Sequence, residues 1–119
     1  MEIGSFYPIF ATHDLDEAVN AYCDALGFSV VHSYRAPGRY ALCVLENEKG
    51  VRIDLMETGK DIPEGLYALR VNTDDMHSAA EFFEGQGYEE EAESSYTSST
   101  DALFLKNAQG QRIALMHHN

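Results

Sequence analysis

The chain has 119 residues, 45% of them hydrophobic and 24% charged, which suits one folded domain with a core and is too short for two ordinary ones. Its apolar runs fall far short of the roughly 20 residues that cross a bilayer, and the opening MEIGSFYPIF lacks the basic start and long apolar stretch of an export signal. The formal net charge of −12 repels phosphate backbones and anionic headgroups, so neither nucleic acid nor a membrane is an expected partner. Cys23 and Cys43 are too few for a disulfide framework and read as free thiols of a cytoplasmic protein. The acidic balance favours either a cationic ligand or plain solubility. Its clustering at Glu89, Glu90, Glu91 and Glu93 fits solubility better.

In chain order, Ser5–Ala11 alternates as a strand and leads into a helix whose apolar face is Leu15, Ala18, Val19, Tyr22 and Leu26. Asp14 is its expected N-cap, Glu17 completes a box-like start, and Gly27 suits a left-handed stop. Strands are expected near Phe28–Tyr34, Tyr40–Leu45 and Val51–Glu57, turned at Pro37-Gly38 and Glu48-Lys49-Gly50. Thr58–Gly65 reads as a connector. A strand at Leu66–Val71 then enters a second helix with Met76, Ala79, Ala80 and Phe83 on one face, capped by Asp74 or Asp75 and stopped near Gly87. Three more strands follow near Tyr88–Ala92, Ala102–Lys106 and Gln111–His117. The Ser/Thr-rich stretch Ser94–Thr100 joins the first two of these. It would serve either as a polar hairpin or as a rim that closes over a ligand.

The two halves are one pattern written twice. The segment Asn47–Met56 returns as Asn107–Met116 with six of ten positions identical, and Gly27-Phe28 returns as Gly87-Tyr88. The chain is therefore read as one α+β domain of two βαβββ modules, residues 1–59 and 60–119. Its sheets should be mixed and mostly antiparallel, with helices on one face.

The run Thr12-His13-Asp14-Leu15-Asp16-Glu17-Ala18-Val19, followed by Tyr22 and Leu26-Gly27-Phe28, resembles the opening of the vicinal-oxygen-chelate proteins, the glyoxalase/bleomycin-resistance/dioxygenase superfamily. Gly50–Leu55 and Gly110–Leu115 resemble the strands that close its modules. The resemblance implies a glyoxalase-like fold, a cup between curved sheets, and completion as a homodimer. Metal-dependent members carry ligands on the first and last strand of each module, usually His, Gln or Glu. Carried onto this chain, those positions fall on Tyr7, Asp54, Leu66 and Ala114. Asp54 is an ordinary ligand and Tyr7 could hold ferric iron, whereas Leu66 and Ala114 have no donor atom. A catalytic metal needs about three protein donors, so no metal or other cofactor is expected, a divalent ion being the alternative.

Strand alternation says what shares a face with Asp54. Arg52 and Met56 should join it, while Val51, Ile53 and Leu55 pack under the helices. Arg112, Ala114, Met116 and His118 should line the second closing strand, and Tyr7, Ile9, Leu66, Ala68 and Arg70 the opening strands. Tyr7, Ile9, Met56, Leu66 and Met116 would then floor a pocket with polar groups from Arg52, Asp54, Arg70 and Arg112. That is the usual form of a small-molecule site. The arginines would either clamp a carboxylate, phosphate or polarised carbonyl, or pair with nearby acids and serve structure alone. Asp54 is the candidate base or counter-ion, unless an arginine holds it in a structural salt bridge. His117 and His118 point to opposite faces and do not suit one ion. The reading that follows is a metal-independent protein that binds or sequesters a small organic ligand. Its alternatives are a metal-dependent lyase, isomerase or dioxygenase of the same superfamily, and a non-catalytic regulatory or interaction subunit.

Overall fold

The computed structural model describes residues 3–36, 40–91 and 102–117. The order of elements is β1 (Ile3–Thr12), α1 (Leu15–Leu26), β2 (Ser29–Ala36), β3 (Tyr40–Glu46), β4 (Arg52–Glu57), β5 (Gly65–Thr73), α2 (Met76–Gly85), β6 (Glu89–Glu90), β7 (Ala102–Lys106) and β8 (Arg112–His117). This is the twice-repeated βαβββ order of an α+β protein. The chain divides into two compact units, one of Pro8–Tyr67 and the other of the start of β1 as far as Tyr7 together with Ala68 onward.

In the first of these, β2 pairs antiparallel with β3 and β3 with β4, while β1 joins β4 in parallel, Ile9 opposite Asp54. The other unit repeats the scheme. There β6, β7 and β8 are antiparallel neighbours, and β5 lies parallel to β8 with Arg70 opposite Ala114. A parallel pair cannot be joined by a tight turn, so each helix lies within the crossover that returns the chain to its opening strand.

Each helix begins on the same chemistry. Asp14 accepts a hydrogen bond from the Glu17 backbone N–H (3.1 Å), and Asp75 accepts one from that of Ser78 (3.0 Å). The carboxylates satisfy amides that the first turn leaves without partners. Before each cap stands a threonine, Thr12 or Thr73, whose hydroxyl accepts from the aspartate's own N–H. Gly27 ends α1 at φ 71°, a conformation that a side chain disfavours. The connector after β4 is tied back to the start of α1. The His13 backbone N–H donates to Glu64 Oε2 (2.9 Å), and His13 Nε2 donates to the Ile62 carbonyl (2.8 Å).

Helix α1 buries Leu15 against Ala41, Cys43, Leu45, Ile53 and Leu55, with Phe10, Val19 and Tyr22 packed alongside. Helix α2 buries Ala79 against Val71, Leu105, Ile113 and Leu115, flanked by Met76, Phe83 and Tyr88. The alternation on β4 and β8 therefore falls as expected, with Ile53, Leu55, Ile113 and Leu115 on the helix side.

Two core expectations fail. Leu26 is 60% exposed and Val51 51% exposed. Leu26 is the last residue of its helix, past the turns that lie on the core. Val51 precedes β4 and belongs to the Asn47 turn, where the strand's alternation has not yet begun. The sixth strand is also shorter than the expected Tyr88–Ala92. The Pro37-Gly38 turn, the Ser94–Thr100 stretch and His118 lie outside the described residues. Among the described residues, no helix is long and apolar enough to cross a membrane.

Leu55 is 1% exposed on the helix side of β4, so Leu55→Ala should cost about 2–5 kcal/mol through lost burial and residual cavity. Urea unfolding checks this as a fall in midpoint at unchanged slope.

Candidate functional site

The faces turned away from the helices carry the candidate chemistry, and each unit presents its own. In the Pro8–Tyr67 unit, Asp54 sits mid-strand on β4 between Ile9 of β1 and Val44 of β3. It is 0% exposed, as is Ile9. Its Oδ1 is shut off from water and receives no hydrogen bond, while the residue as a whole keeps interactions with its surroundings. Met56 shares this face and is half-buried.

Arg52 lies on the same face and is engaged across the ladder. Its Nη2 and Nε both donate to Glu46 Oε2, at 2.6 and 3.1 Å, and the two residues are register partners. Leu66, expected on the pocket floor, is 70% exposed. It stands near the start of β5, before the stretch paired with β8, which begins at Leu69.

In the other unit, Arg70 leans over the Tyr7 ring with its guanidinium carbon 5.1 Å from the centroid. Arg70 Nε donates to Asn72 Oδ1 (3.1 Å), and Asn72 Nδ2 donates to Ser5 Oγ (2.8 Å). Tyr7 and Asn72 are buried, and Arg70 is half-buried. Ala68, Ala114 and Met116 complete this face, all at 2% exposure or less. Arg112 repeats the fate of Arg52, donating through Nε and Nη2 to the two oxygens of Glu91 at 2.6 and 3.1 Å. That bidentate pair holds the Glu91 carboxyl below its ordinary range, with partial burial working the other way.

The strand register moves one of the positions carried over from the resemblance. Asp54 and Ala114 are repeat equivalents and pair with Ile9 and Arg70 respectively. Arg70 is therefore the counterpart of Ile9, and the counterpart of Tyr7 is Ala68, two residues beyond Leu66. The four metal-ligand positions become Tyr7, Asp54, Ala68 and Ala114. The correction removes one side chain without a donor and installs another.

Asn72 and Ser5 were not among the expected site residues. Alternation pointed to both, since Asn72 follows Ala68 and Arg70 in the same phase and Ser5 precedes Tyr7 and Ile9. Glu91 had no such signal, because its neighbours are equally acidic.

The model of the glyoxalase/bleomycin resistance protein/dioxygenase superfamily matches residues 6–115. The chain belongs to this superfamily. A methylmalonyl-CoA epimerase from Mycobacterium tuberculosis superposes with a TM-score of 0.78 at 20% identity, covering 98% of this chain and 89% of that one. A variant Streptomyces coelicolor methylmalonyl-CoA epimerase in complex with 2-nitronate-propionyl-CoA gives 0.75 at 18% identity, covering 98% and 95%. A protein of undefined function from Bacillus halodurans gives 0.75 at 13%, covering 95% and 92%. At these identities the likeness concerns the fold. No curated protein matches by sequence.

The superfamily implies a metal in its metal-dependent members, and the residues at the corresponding positions do not fit one. In the unit that holds Tyr7, Ala68 and Ala114, two methyl groups have no lone pairs and one phenol falls below the three donors of a catalytic site. Among the described residues, no three His, Cys, Asp or Glu side chains gather as a ligand set.

Because Glu91 has a depressed folded pKa, its pairing with Arg112 stabilises fully above the ordinary glutamate value of 4.5 and is lost as pH falls through the lower folded value. Glu91→Gln should therefore lower Tm at neutral pH and shrink the drop in Tm between neutral and acid conditions, read by melts from pH 7 to pH 3.

Proposed function

We propose that this protein binds a small organic ligand without a metal, through the sheet face that carries Tyr7, Arg70 and Asn72 in one unit. One observation carries the reading. At Ala68 and Ala114, both buried, the superfamily's metal-ligand positions offer only methyl groups. Beside these methyl groups Tyr7 is a single donor, and a Lewis acid held by it would lack the coordination that fixes geometry and charge. Binding without turnover then asks of the site only apolar surface and a few oriented polar groups. Tyr7, Ala68 and Met116 supply the first, and Arg70 and Asn72 the second. Arg52 and Arg112 are committed to carboxylates and serve the ladders. Leu66 is left out of this ligand set. A homodimer is the assembly that the superfamily's architecture favours.

A second reading has its own support. Asp54 is a wholly buried carboxyl, and solved structures of similar fold are described as methylmalonyl-CoA epimerases. A carboxyl on this face is a candidate general base. On that reading the protein is an enzyme of the same superfamily with Asp54 at its centre.

Native mass spectrometry of freshly purified protein separates the two. The binding reading expects a co-purified organic ligand, no stoichiometric Zn, Ni, Fe or Mn after reloading, and ligand retention in EDTA. Stoichiometric metal, with metal uptake and turnover both abolished by Asp54→Ala, would favour the enzymatic reading instead.

A further inference from the structure

We infer that the outer edge of β2 is where this protein meets a second copy of itself, the two β2 strands pairing antiparallel across a two-fold axis. It rests on the homodimer favoured above, whose surface it names, and is independent of the ligand.

The repeat gives the first support. β2 and β6 hold the same place in their units. Each follows a helix and, among the described residues, has one strand neighbour, β3 or β7. A strand edge offers its N–H and C=O groups to any strand that comes near, and proteins blunt such edges by shortening them and adding charge. β6 is blunted in both ways, being within the described residues the exposed pair Glu89–Glu90. β2 runs for 8 residues without an acid. It exposes Val30, Val31 and Tyr34 at 46%, 40% and 38%.

Charge is the second support and selects the occupant. The chain carries −12, so two copies repel wherever acids meet. Residues 25–45 hold none of its 20 acidic residues, and no other acid-free stretch is as long. Arg35, within β2, is paired with Asp16 of α1 at 2.7 Å. Leu26, also exposed, lies in the same run. Other exposed apolar residues have acidic company, Phe82 beside Glu81 and Val51 close to Glu48. A cationic partner would be drawn to that acidic surface, whereas a copy with the same charge meets apolar surface with least repulsion at β2.

Geometry closes the assembly. The register of β2 on β3 shifts between Val30 and His32, which leaves Val31 as the extra residue of a bulge. Beyond it His32–Ala36 keeps an unbroken register and is the stretch that can take an antiparallel neighbour. Both copies bring the same strand, so pairing uses the open edge of each and, with β6 blunted, stops at two. His32 and Tyr34 lie opposite Val44 and Leu42, which lie opposite Asp54 and Met56. The sheet face that carries Asp54 runs through these residues to the contact.

The test is sedimentation equilibrium of the intact protein over a concentration series in about 50 and about 500 mM NaCl, which spans weak to strong screening. A dimer that tightens with salt is expected, because screening relieves the repulsion between two chains of −12. Tyr34→Glu and Val31→Glu should each raise its Kd by about tenfold or more, since like charges meet across the two-fold. Phe82→Glu, the same change of charge away from β2, should have a much smaller effect. The outward amides of His32–Ala36 should exchange hydrogen more slowly in the dimer than after dilution to monomer. If neither β2 variant folds, that comparison on the native chain decides. A dimer unchanged by both β2 substitutions in folded protein, or β2 amides that exchange alike in monomer and dimer, would overturn the inference and leave a homodimer through another surface. A dimer that weakens with salt would put the contact among charged groups and overturn it equally. A monomer in both salts would remove homodimer and inference together.

Discussion

The two-sided burial of the closing strands governs this structure. β4 and β8 each turn Ile and Leu toward a helix, at Ile53 and Leu55 and at Ile113 and Leu115. Successive side chains on a strand point to opposite faces, so the residues between them, Asp54 and Ala114, are driven to the other side. Both are 0% exposed there. A slip of one residue would put a carboxylate under α1 and an isoleucine on the opposite face. The parallel pairing to β1 and β5 then decides which side chains of the opening strands stand beside them.

The repeat separates scaffold from chemistry. Most of the identities shared by Asn47–Met56 and Asn107–Met116 have a structural task. Asn47 and Asn107 each accept two turn amides through the side-chain oxygen. Gly50 and Gly110 take φ of 81° and 85°, where a Cβ would be strained. Arg52 and Arg112 hold carboxylates, and the Ile and Leu positions fill the cores. Asp54 and Ala114, the pair on the candidate site face, differ. So do Ile9 and Arg70 at their register partners.

That divergence frames the membership of the superfamily. The same architecture accommodates a metal centre when histidine, glutamine or glutamate stands on the first and last strands. Here the donors are reduced to a phenol and a carboxylate, and an arginine held by an asparagine and an aromatic ring appears beside the vacated positions.

Local sequence determined a good deal of this protein. Helical periodicity, aspartate caps, turn glycines and strand alternation sufficed for ten elements in order and for the face on which Asp54 lies, because each is settled within a few residues. The same local rules pointed to Tyr7, Ile9, Arg70 and Met116, and would have reached Asn72 and Ser5. Tertiary structure decided the neighbours. The carboxylates that Arg52 and Arg112 hold are Glu46 across the ladder and Glu91, 21 residues away in sequence, and no periodicity encodes such a pairing. The Tyr7 counterpart fell on Ala68 rather than Leu66 because register is a relation between strands, fixed when β1 meets β4 and β5 meets β8. Alternation within one strand leaves that choice open by any even number of residues.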